Sequence, residues 1–228
     1  MGKIGLSNNQ LKIIAMVSMT LDHIGVALFP QNLLLRILGR LAFPVYAFMI
    51  AEGCSHTRKP WRYFGSMAGL ALVCQIVYFV AMGSLYQCIL VTFSLSIGLI
   101  FLGRRATEKG GLLNWLLLLL GMAGALFACQ ILPGLLPKTD YQVDYGFVGV
   151  MTPVLVYFAR GKWGKLLTAA GVLALLALDS ASIQWYALGA LPLLMLYNGQ
   201  RGKWKLKWAF YLYYPAHLVA IQAVAWLL

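Results

Sequence analysis

Acidic residues are scarce in this chain of 228 residues, in which six Asp and Glu stand against 18 Lys and Arg and give a formal net charge of +12. Charged residues make up 11% of the chain and hydrophobic residues 61%, whereas soluble domains carry about 25% charged residues. This composition excludes an ordinary soluble domain and predicts one membrane-embedded domain over residues 1–228. The basic residues are spread over short segments between apolar runs, so we expect the lipid bilayer as a partner and no nucleic acid.

Cysteine is also rare, and its spacing excludes two common kinds of site. Cys54, Cys74, Cys88 and Cys129 stand singly inside apolar runs, without the CxxC spacing of a zinc site or the pattern of a disulfide framework. The sequence contains no HExxH, P-loop or GxGxxG motif. We therefore expect no bound metal and no tightly bound cofactor.

Long apolar runs are the dominant feature of the sequence. A spanning helix needs about 20 mostly apolar residues, and the runs lack the alternation of a closed barrel. The predicted class is therefore all-α, a polytopic helix bundle of about nine transmembrane helices, of which the sixth and eighth are short. The runs cover roughly residues 11–29, 33–56, 61–82, 86–103, 112–136, 145–159, 164–180, 183–198 and 207–228.

The basic residues between these runs predict the orientation. Nearly all of them precede the first run, lie in alternate connections or occupy the first two positions of the run that follows, and cytoplasmic loops are the ones enriched in Lys and Arg. The N-terminus is therefore predicted to be cytoplasmic and the C-terminus external, in the cytoplasmic (inner) membrane. These residues are Lys3, Lys12, Arg58, Lys59, Arg62, Arg104, Arg105, Lys109, Arg160, Lys162, Lys165, Arg201, Lys203, Lys205 and Lys207.

Charged residues inside the first two runs predict the functional site. Asp22 and His23 interrupt the first run, and Arg36 and Arg40 lie one helical turn apart in the second. A charge near the bilayer centre costs at least about 2.5 kcal/mol and usually pairs with another. One interpretation is a structural ion-pair network. The other makes His23 a general base, with Asp22 holding its tautomer and the arginines stabilising an oxyanion; alternatively Asp22 pairs with an arginine instead.

Further polar residues extend the predicted site on the external side. Asp144 and Gln184 begin helices there, while Tyr214 and His217 lie in the last run. Together with Arg36 and Arg40 they are predicted to bind the acceptor or the oxyanion.

A second polar cluster lies at the cytoplasmic end of the second run. Glu52 and His56 are spaced by four residues and are followed by a basic turn, Arg58, Lys59 and Arg62. These residues form either an ordinary helix end or a basic mouth for phosphate groups.

Six blocks carry a resemblance to a known family, and the most specific parts of them are Asp22-His23-Ile24-Gly25 and Gly39-Arg40-Leu41-Ala42-Phe43-Pro44. The blocks lie in residues 11–25, 36–44, 51–57, 144–146, 190–192 with 196–199, and 213–217. The chain resembles TraX-like membrane proteins over nearly its whole length. The resemblance implies pilin modification in conjugation and membership of the transmembrane acyltransferases, which use cytoplasmic acetyl-CoA as co-substrate.

The resemblance implies that this protein is an acetyltransferase. The acceptor would be an amine or hydroxyl at the external face, such as a protein N-terminus, a glycan or a lipid. His23 and Asp22 would then be catalytic, and the cluster from Glu52 to Arg62 would bind CoA. Two alternatives remain: a transporter or flippase for an anionic lipid or solute, and a non-catalytic assembly factor for surface appendages.

Overall fold

A computed structural model describes residues 5–179, 182–202 and 207–227. No β-strand occurs within these ranges, where two isolated bridges join Leu6 to Tyr197 and Gln87 to Val143. The all-helical class is therefore confirmed. The α-helices are α1 (Asn8–Ala27), α2 (Leu33–Gly39), α3 (Ala42–His56), α4 (Pro60–Met82), α5 (Ile89–Lys109), α6 (Leu112–Leu126), α7 (Leu132–Leu135), α8 (Gly146–Phe158), α9 (Gly161–Asp179), α10 (Leu191–Met195) and α11 (Lys207–Leu227).

Five helical stretches in the described part of the chain are long and apolar enough to cross a membrane, which makes this a multi-pass membrane protein. They are Leu33–His56, Pro60–Val80, Ile89–Lys109, Leu112–Leu135 and Gly161–Leu178. The described part of the chain also has two shorter apolar helices, Gly146–Phe158 and Leu212–Leu227. The first predicted span, now α1, is not among the five. The count of nine spans therefore stays a prediction.

Two predicted runs are interrupted in the structure. The run 33–56 divides into α2 and α3 at Arg40 and Leu41, because Pro44 has no N–H to donate to the Arg40 carbonyl and its ring crowds that oxygen. The run 183–198 consists of a 3₁₀ segment, Ser182–Ala190, followed by the single turn α10. A short π-helical segment, Phe127–Ile131, joins α6 to α7.

The chain divides into two compact units, one of residues 1–49 and 162–228 and the other of residues 50–161. In the first unit, α1 begins with a capping box between Ser7 and Gln10, which satisfies backbone N–H groups at the helix start. The preceding segment is bonded to the loop after α10: Leu6 N donates to Leu196 O at 2.7 Å, and Asn198 N donates to Leu6 O at 3.0 Å. The single domain predicted over residues 1–228 stays a prediction.

The second unit joins the loop after α4 to the loop before α8. Gln87 N donates to Gln142 O at 2.9 Å, and Asp144 N donates to Gln87 O at 3.0 Å. The Asp140 carboxylate accepts from Ser84 Oγ at 2.5 Å and from Leu85 N at 2.8 Å. These two bonds hold the pKa of the Asp140 carboxyl below its usual value, because both stabilise the charged form.

Candidate functional site

The candidate site lies in the first unit, where α1 and α2 form a tight helical hairpin. Gly39 is buried and stands directly against Asp22: a Cβ built on Gly39 would lie 2.3 Å from the Asp22 Cβ. A Cβ on Gly25 would lie 3.0 Å from the Leu35 Cβ. Ser18 Oγ donates to the Leu38 carbonyl at 2.6 Å across the same contact. Glycine at these positions lets the helices approach closely enough for Asp22 to reach α2.

Asp22 is the shared partner of both arginines. Arg40 Nη2 donates to both Asp22 carboxylate oxygens at 2.5 Å, and Arg36 Nη1 donates to Oδ1 at 3.0 Å. The side chains of Arg40, Asp22 and Arg36 are 11%, 17% and 30% exposed, so this is a partly buried triad. Its two positive charges and one negative charge sum to one positive charge, which favours an anionic or partly negative group nearby.

His23 has a different partner from its sequence neighbour. Its Nδ1 lies 3.0 Å from His217 Nε2 on α11, with the ring centroids 5.0 Å apart. The structure therefore shows the alternative in which Asp22 pairs with the arginines. The partner of His23 is a second histidine, and successive residues on a helix point about 100° apart.

The hydrogen bonds determine the tautomer of both rings. His217 Nδ1 lies 2.8 Å from the Tyr213 carbonyl oxygen, and a carbonyl only accepts, so Nδ1 carries the proton. In the neutral ring Nε2 is then an acceptor, and it accepts a hydrogen bond from the protonated His23 Nδ1. His23 Nε2 keeps its lone pair and has no hydrogen-bond partner among the described residues. This nitrogen is available to take a proton from a substrate.

Two tyrosines fix the position of His217, which is 7% exposed. The Tyr213 ring stacks on His217 with an interplanar angle of 8°, and Tyr214 meets it edge-on at 5.6 Å between centroids. The Tyr213 hydroxyl is hydrogen-bonded to Thr20 Oγ1 on α1. The Thr20 hydroxyl donates to the Met16 carbonyl at 2.9 Å, so the Tyr213 hydroxyl is the donor to Thr20. This chain of contacts joins α11 to α1.

Gln184 completes the cluster from the 3₁₀ segment. Arg40 Nη1 donates to Gln184 Oε1 at 3.4 Å, so the prediction that Gln184 stands with Arg36 and Arg40 agrees with the geometry. Among the predicted site residues, Asp22, His23, Arg36, Arg40, Gln184, Tyr214 and His217 all lie in the first unit.

Asp144 lies in the second unit, where it is held by the loop after α4. The Tyr86 hydroxyl donates to Asp144 Oδ1 at 2.8 Å, and Thr92 Oγ1 donates to the Asp144 carbonyl at 2.7 Å. Burial and the neighbouring Asp144 carboxylate raise the pKa of the Tyr86 phenol well above its usual range, so this hydroxyl remains a donor. These contacts assign Asp144 a part in joining two loops.

The predicted CoA cluster also belongs to the second unit, at the junction of α3 and α4. His56 Nδ1 donates to the Glu52 backbone carbonyl at 2.8 Å rather than to its carboxylate. Arg58, Lys59 and Arg62 are exposed, whereas Glu52 is buried. An exposed basic turn is available to phosphate groups. No group of three His, Cys, Asp or Glu residues in the described ranges lies close enough to hold a metal ion.

The comparison of the sequence with family models decides the family. The model described as TraX protein matches residues 7–225. The chain belongs to the TraX protein family.

Two curated relatives of this TraX-family chain carry further information. A probable fimbrial assembly protein FimC, serogroup H1, of Dichelobacter nodosus is 27% identical over 96% of this chain and 95% of that protein. An uncharacterized protein RP591 of Rickettsia prowazekii (strain Madrid E) is 50% identical over 17% of this chain and 15% of its own length. No solved structure matches.

Sequence reasoning missed several supporting residues of this TraX-family site. Nothing in the local sequence indicates the contact between Thr20 and Tyr213, because it joins residues 193 positions apart. Gly25 and Gly39 did carry a signal, since each stands close to a charged residue inside an apolar run. A glycine in that position indicates a close approach of another helix.

Proposed function

We propose that this TraX-family protein is a membrane-embedded acetyltransferase. It takes the acetyl group of cytoplasmic acetyl-CoA and transfers it to an amine or hydroxyl at the external face, for example the N-terminus of a pilin-like protein. The observation that carries this proposal is the His23–His217 pair, which leaves His23 Nε2 unprotonated and without a partner among the described residues. A neutral imidazole held in one tautomer is suited to general-base catalysis.

The reaction needs one proton acceptor and one centre of positive charge. His23 Nε2 takes the proton of the acceptor as its nitrogen or oxygen bonds to the thioester carbonyl carbon. The carbonyl oxygen becomes negative, beside the net positive triad of Asp22, Arg36 and Arg40. The intermediate then expels the CoA thiolate, which takes the proton from the His23 imidazolium and leaves as the thiol.

The basic turn is proposed as the CoA site. Arg58, Lys59 and Arg62 are exposed and adjoin the end of α3, and guanidinium and ammonium groups bind phosphates through charge-assisted hydrogen bonds. Glu52 and His56 border this turn. Acetyl-CoA acts as a co-substrate that leaves after each cycle, so no tightly bound cofactor is required.

The proposed topology is nine spans with a cytoplasmic N-terminus in the inner membrane. Residues 5–9 are hydrogen-bonded to residues 196–201, which requires both segments to lie on the same side of the membrane. The loop at 84–87 is bonded in the same way to the segment 140–144. The proposed topology places each of these pairs on one side.

A second candidate function is that of a non-catalytic factor in the assembly of surface appendages. The name of one relative favours it, because that relative is a probable fimbrial assembly protein that matches nearly the whole chain. Assembly as such needs no basic nitrogen at His23. The two functions therefore differ in whether the purified protein consumes acetyl-CoA.

The test uses the full-length protein in lipid nanodiscs, supplied with labelled acetyl-CoA and a small amine or a pilin-like peptide. We expect transfer to the acceptor, or slow hydrolysis without one, and a loss of at least about 100-fold in His23→Ala. His23→Asn is the matched variant, because its amide keeps a donor to His217 but offers no basic nitrogen. Wild-type protein that leaves acetyl-CoA intact, or a His23→Asn variant as active as wild type, contradicts the proposal.

A further inference from the structure

The side-chain amide of Gln184 is buried in the same cluster as the catalytic candidates. Gln184 lies on the 3₁₀ segment and is 4% exposed. This segment packs closely on the turn between α2 and α3, since a Cβ on Gly189 would lie 3.2 Å from Leu41 Cδ2. The amide is therefore held near Arg40 by the backbone on both sides.

The orientation of this amide follows from the chemistry of its neighbour. A guanidinium has donors only, so the Gln184 oxygen must face Arg40, whose Nη1 lies 3.4 Å away. Arg40 is itself fixed by the Asp22 carboxylate. The Gln184 amino group consequently points away from Arg40.

Gln184 Nε2 has no hydrogen-bond partner among the described residues, although it is fully buried. A buried donor without an acceptor costs about 1–3 kcal/mol, and an apolar side chain of similar size would avoid that cost. The unpaired Gln184 Nε2 donor is explained if a ligand supplies the hydrogen-bond acceptor. The ligand atom must be a hydrogen-bond acceptor with a lone pair, such as a carbonyl oxygen.

We propose that Gln184 Nε2 donates a hydrogen bond to the carbonyl oxygen of the acetyl thioester, an inference that rests on the proposed function. Negative charge develops on this oxygen when the acceptor attacks. The net positive charge of the triad of Asp22, Arg36 and Arg40 favours that negative charge. Each arginine already donates to the Asp22 carboxylate. Gln184 then supplies the directed donor, and the arginines supply the field.

The test compares Gln184→Met, which keeps the volume but removes the amide, with wild type. Removing one oxyanion donor typically lowers kcat by about 10²–10³. We expect a loss in this range with little change in KM. The thermal midpoint should stay close to that of wild type, because the lost bond from Arg40 Nη1 offsets the removal of the unpaired Nε2 donor. Gln184→Glu, which keeps the shape and the contact with Arg40 but replaces the amide donor with a carboxylate, should lose a similar factor in kcat.

Gln75→Met is the matched control. Both ends of the Gln75 amide have protein partners, Tyr86 O at 2.7 Å from Nε2 and Cys88 N at 3.4 Å from Oε1. Its replacement should therefore lower the thermal midpoint and leave kcat per folded molecule unchanged, which is the opposite of the result expected for Gln184→Met.

An infrared measurement separates a contact with the thioester from a purely structural effect. With acetyl-CoA labelled with ¹³C at the carbonyl, the bound C=O stretch should shift to lower frequency in wild type, and the shift should be lost in Gln184→Met. Unchanged kcat and stretch in Gln184→Met, with wild type active, overturn this inference alone. A higher KM at unchanged kcat also overturns it. Wild type that transfers no acetyl group overturns the proposed function as well.

Discussion

At the scale of single residues, Asp22 and His23 are neighbours in the sequence but have different partners and different roles. Asp22 binds two arginines on α2, and His23 contacts His217 on α11. Asp22 therefore organises positive charge, while His217 fixes the tautomer of His23. The reactive nitrogen, His23 Nε2, follows from two hydrogen bonds and from the fact that a carbonyl cannot donate.

Removing the shared carboxylate should destabilise the protein strongly. Asp22→Ala removes the carboxylate that the guanidiniums of Arg36 and Arg40 share, and breaking a buried ion pair in this way costs about 3–5 kcal/mol. Because Arg36 is 30% exposed, we expect the lower end of that range. The measurement is the free energy of unfolding in detergent.

The control for this variant is another Arg–carboxylate pair in the same chain. Arg104 and Glu108 are 2.7 Å apart but lie at the surface, 36% and 58% exposed. Glu108→Gln should change the free energy of unfolding by less than about 0.5 kcal/mol. If the two substitutions change the free energy of unfolding equally, Asp22 contributes no more to stability than a surface carboxylate does.

The sequence predicted part of this arrangement and left part of it open. Charged residues inside apolar runs need partners of opposite charge, so the sequence indicated that Asp22 could pair with Arg36 and Arg40. The structure shows both ion pairs. The partner of His23 could not be predicted, because His217 lies 194 residues away and no local spacing links them. The burial of Gln184 likewise depends on how a 3₁₀ segment packs on α2, which the sequence pattern does not specify.

At the scale of helices, the close approach of α1 and α2 decides whether the site forms. A Cβ on Gly39 would overlap the Asp22 side chain, which cannot move away without breaking its bonds to Arg40. We expect Gly39→Ala to lower the thermal midpoint and to abolish acetyl transfer. The measurements are thermal unfolding in detergent and the transfer assay.

Gly171→Ala is the matched control, since Gly171 lies inside α9 and a Cβ there would meet nothing within 4 Å. This substitution should be neutral or slightly stabilising, by up to about 1 kcal/mol, because alanine favours helix over glycine. If Gly39→Ala behaves like Gly171→Ala, the hairpin is looser than the structure indicates.

The apolar runs predicted most helices to within a few residues, since hydrophobic length is a strong signal. The break at Arg40 was missed, although Pro44 stands four residues later and explains it. The 3₁₀ segment at 182–190 was also missed, because an apolar run has the same composition in either kind of helix.

At the scale of the whole molecule, orientation in the membrane determines which face meets acetyl-CoA. A reporter that works only in the cytoplasm should be inactive when it is fused after Leu228. Leu228 lies outside the described ranges, and so do three of the basic residues that predict the orientation, Lys3, Lys203 and Lys205. The Lys207 side chain is likewise not described. The same reporter inserted after Lys109 should be active. Activity after Leu228 would contradict the proposed topology.

The exposed basic turn gives a second test at this scale. Replacing Arg58, Lys59 and Arg62 together by Gln should raise the KM for acetyl-CoA more than it lowers kcat, because these residues bind groups remote from the reacting carbon. The steady-state rate at varied acetyl-CoA concentration measures both constants. An unchanged KM would move the CoA site to another loop.

His23 and His217 are proposed to act as one unit in acetyl transfer. The decisive measurement is a double-mutant cycle on the transfer rate with His23→Ala, His217→Ala and the combined variant. We expect a loss of at least about 100-fold for His23→Ala, a smaller loss for His217→Ala, and a combined variant no slower than His23→Ala, because His217 works only through His23. Losses that multiply would show that the two histidines act independently, and normal transfer by His23→Ala would show that His23 is not the general base.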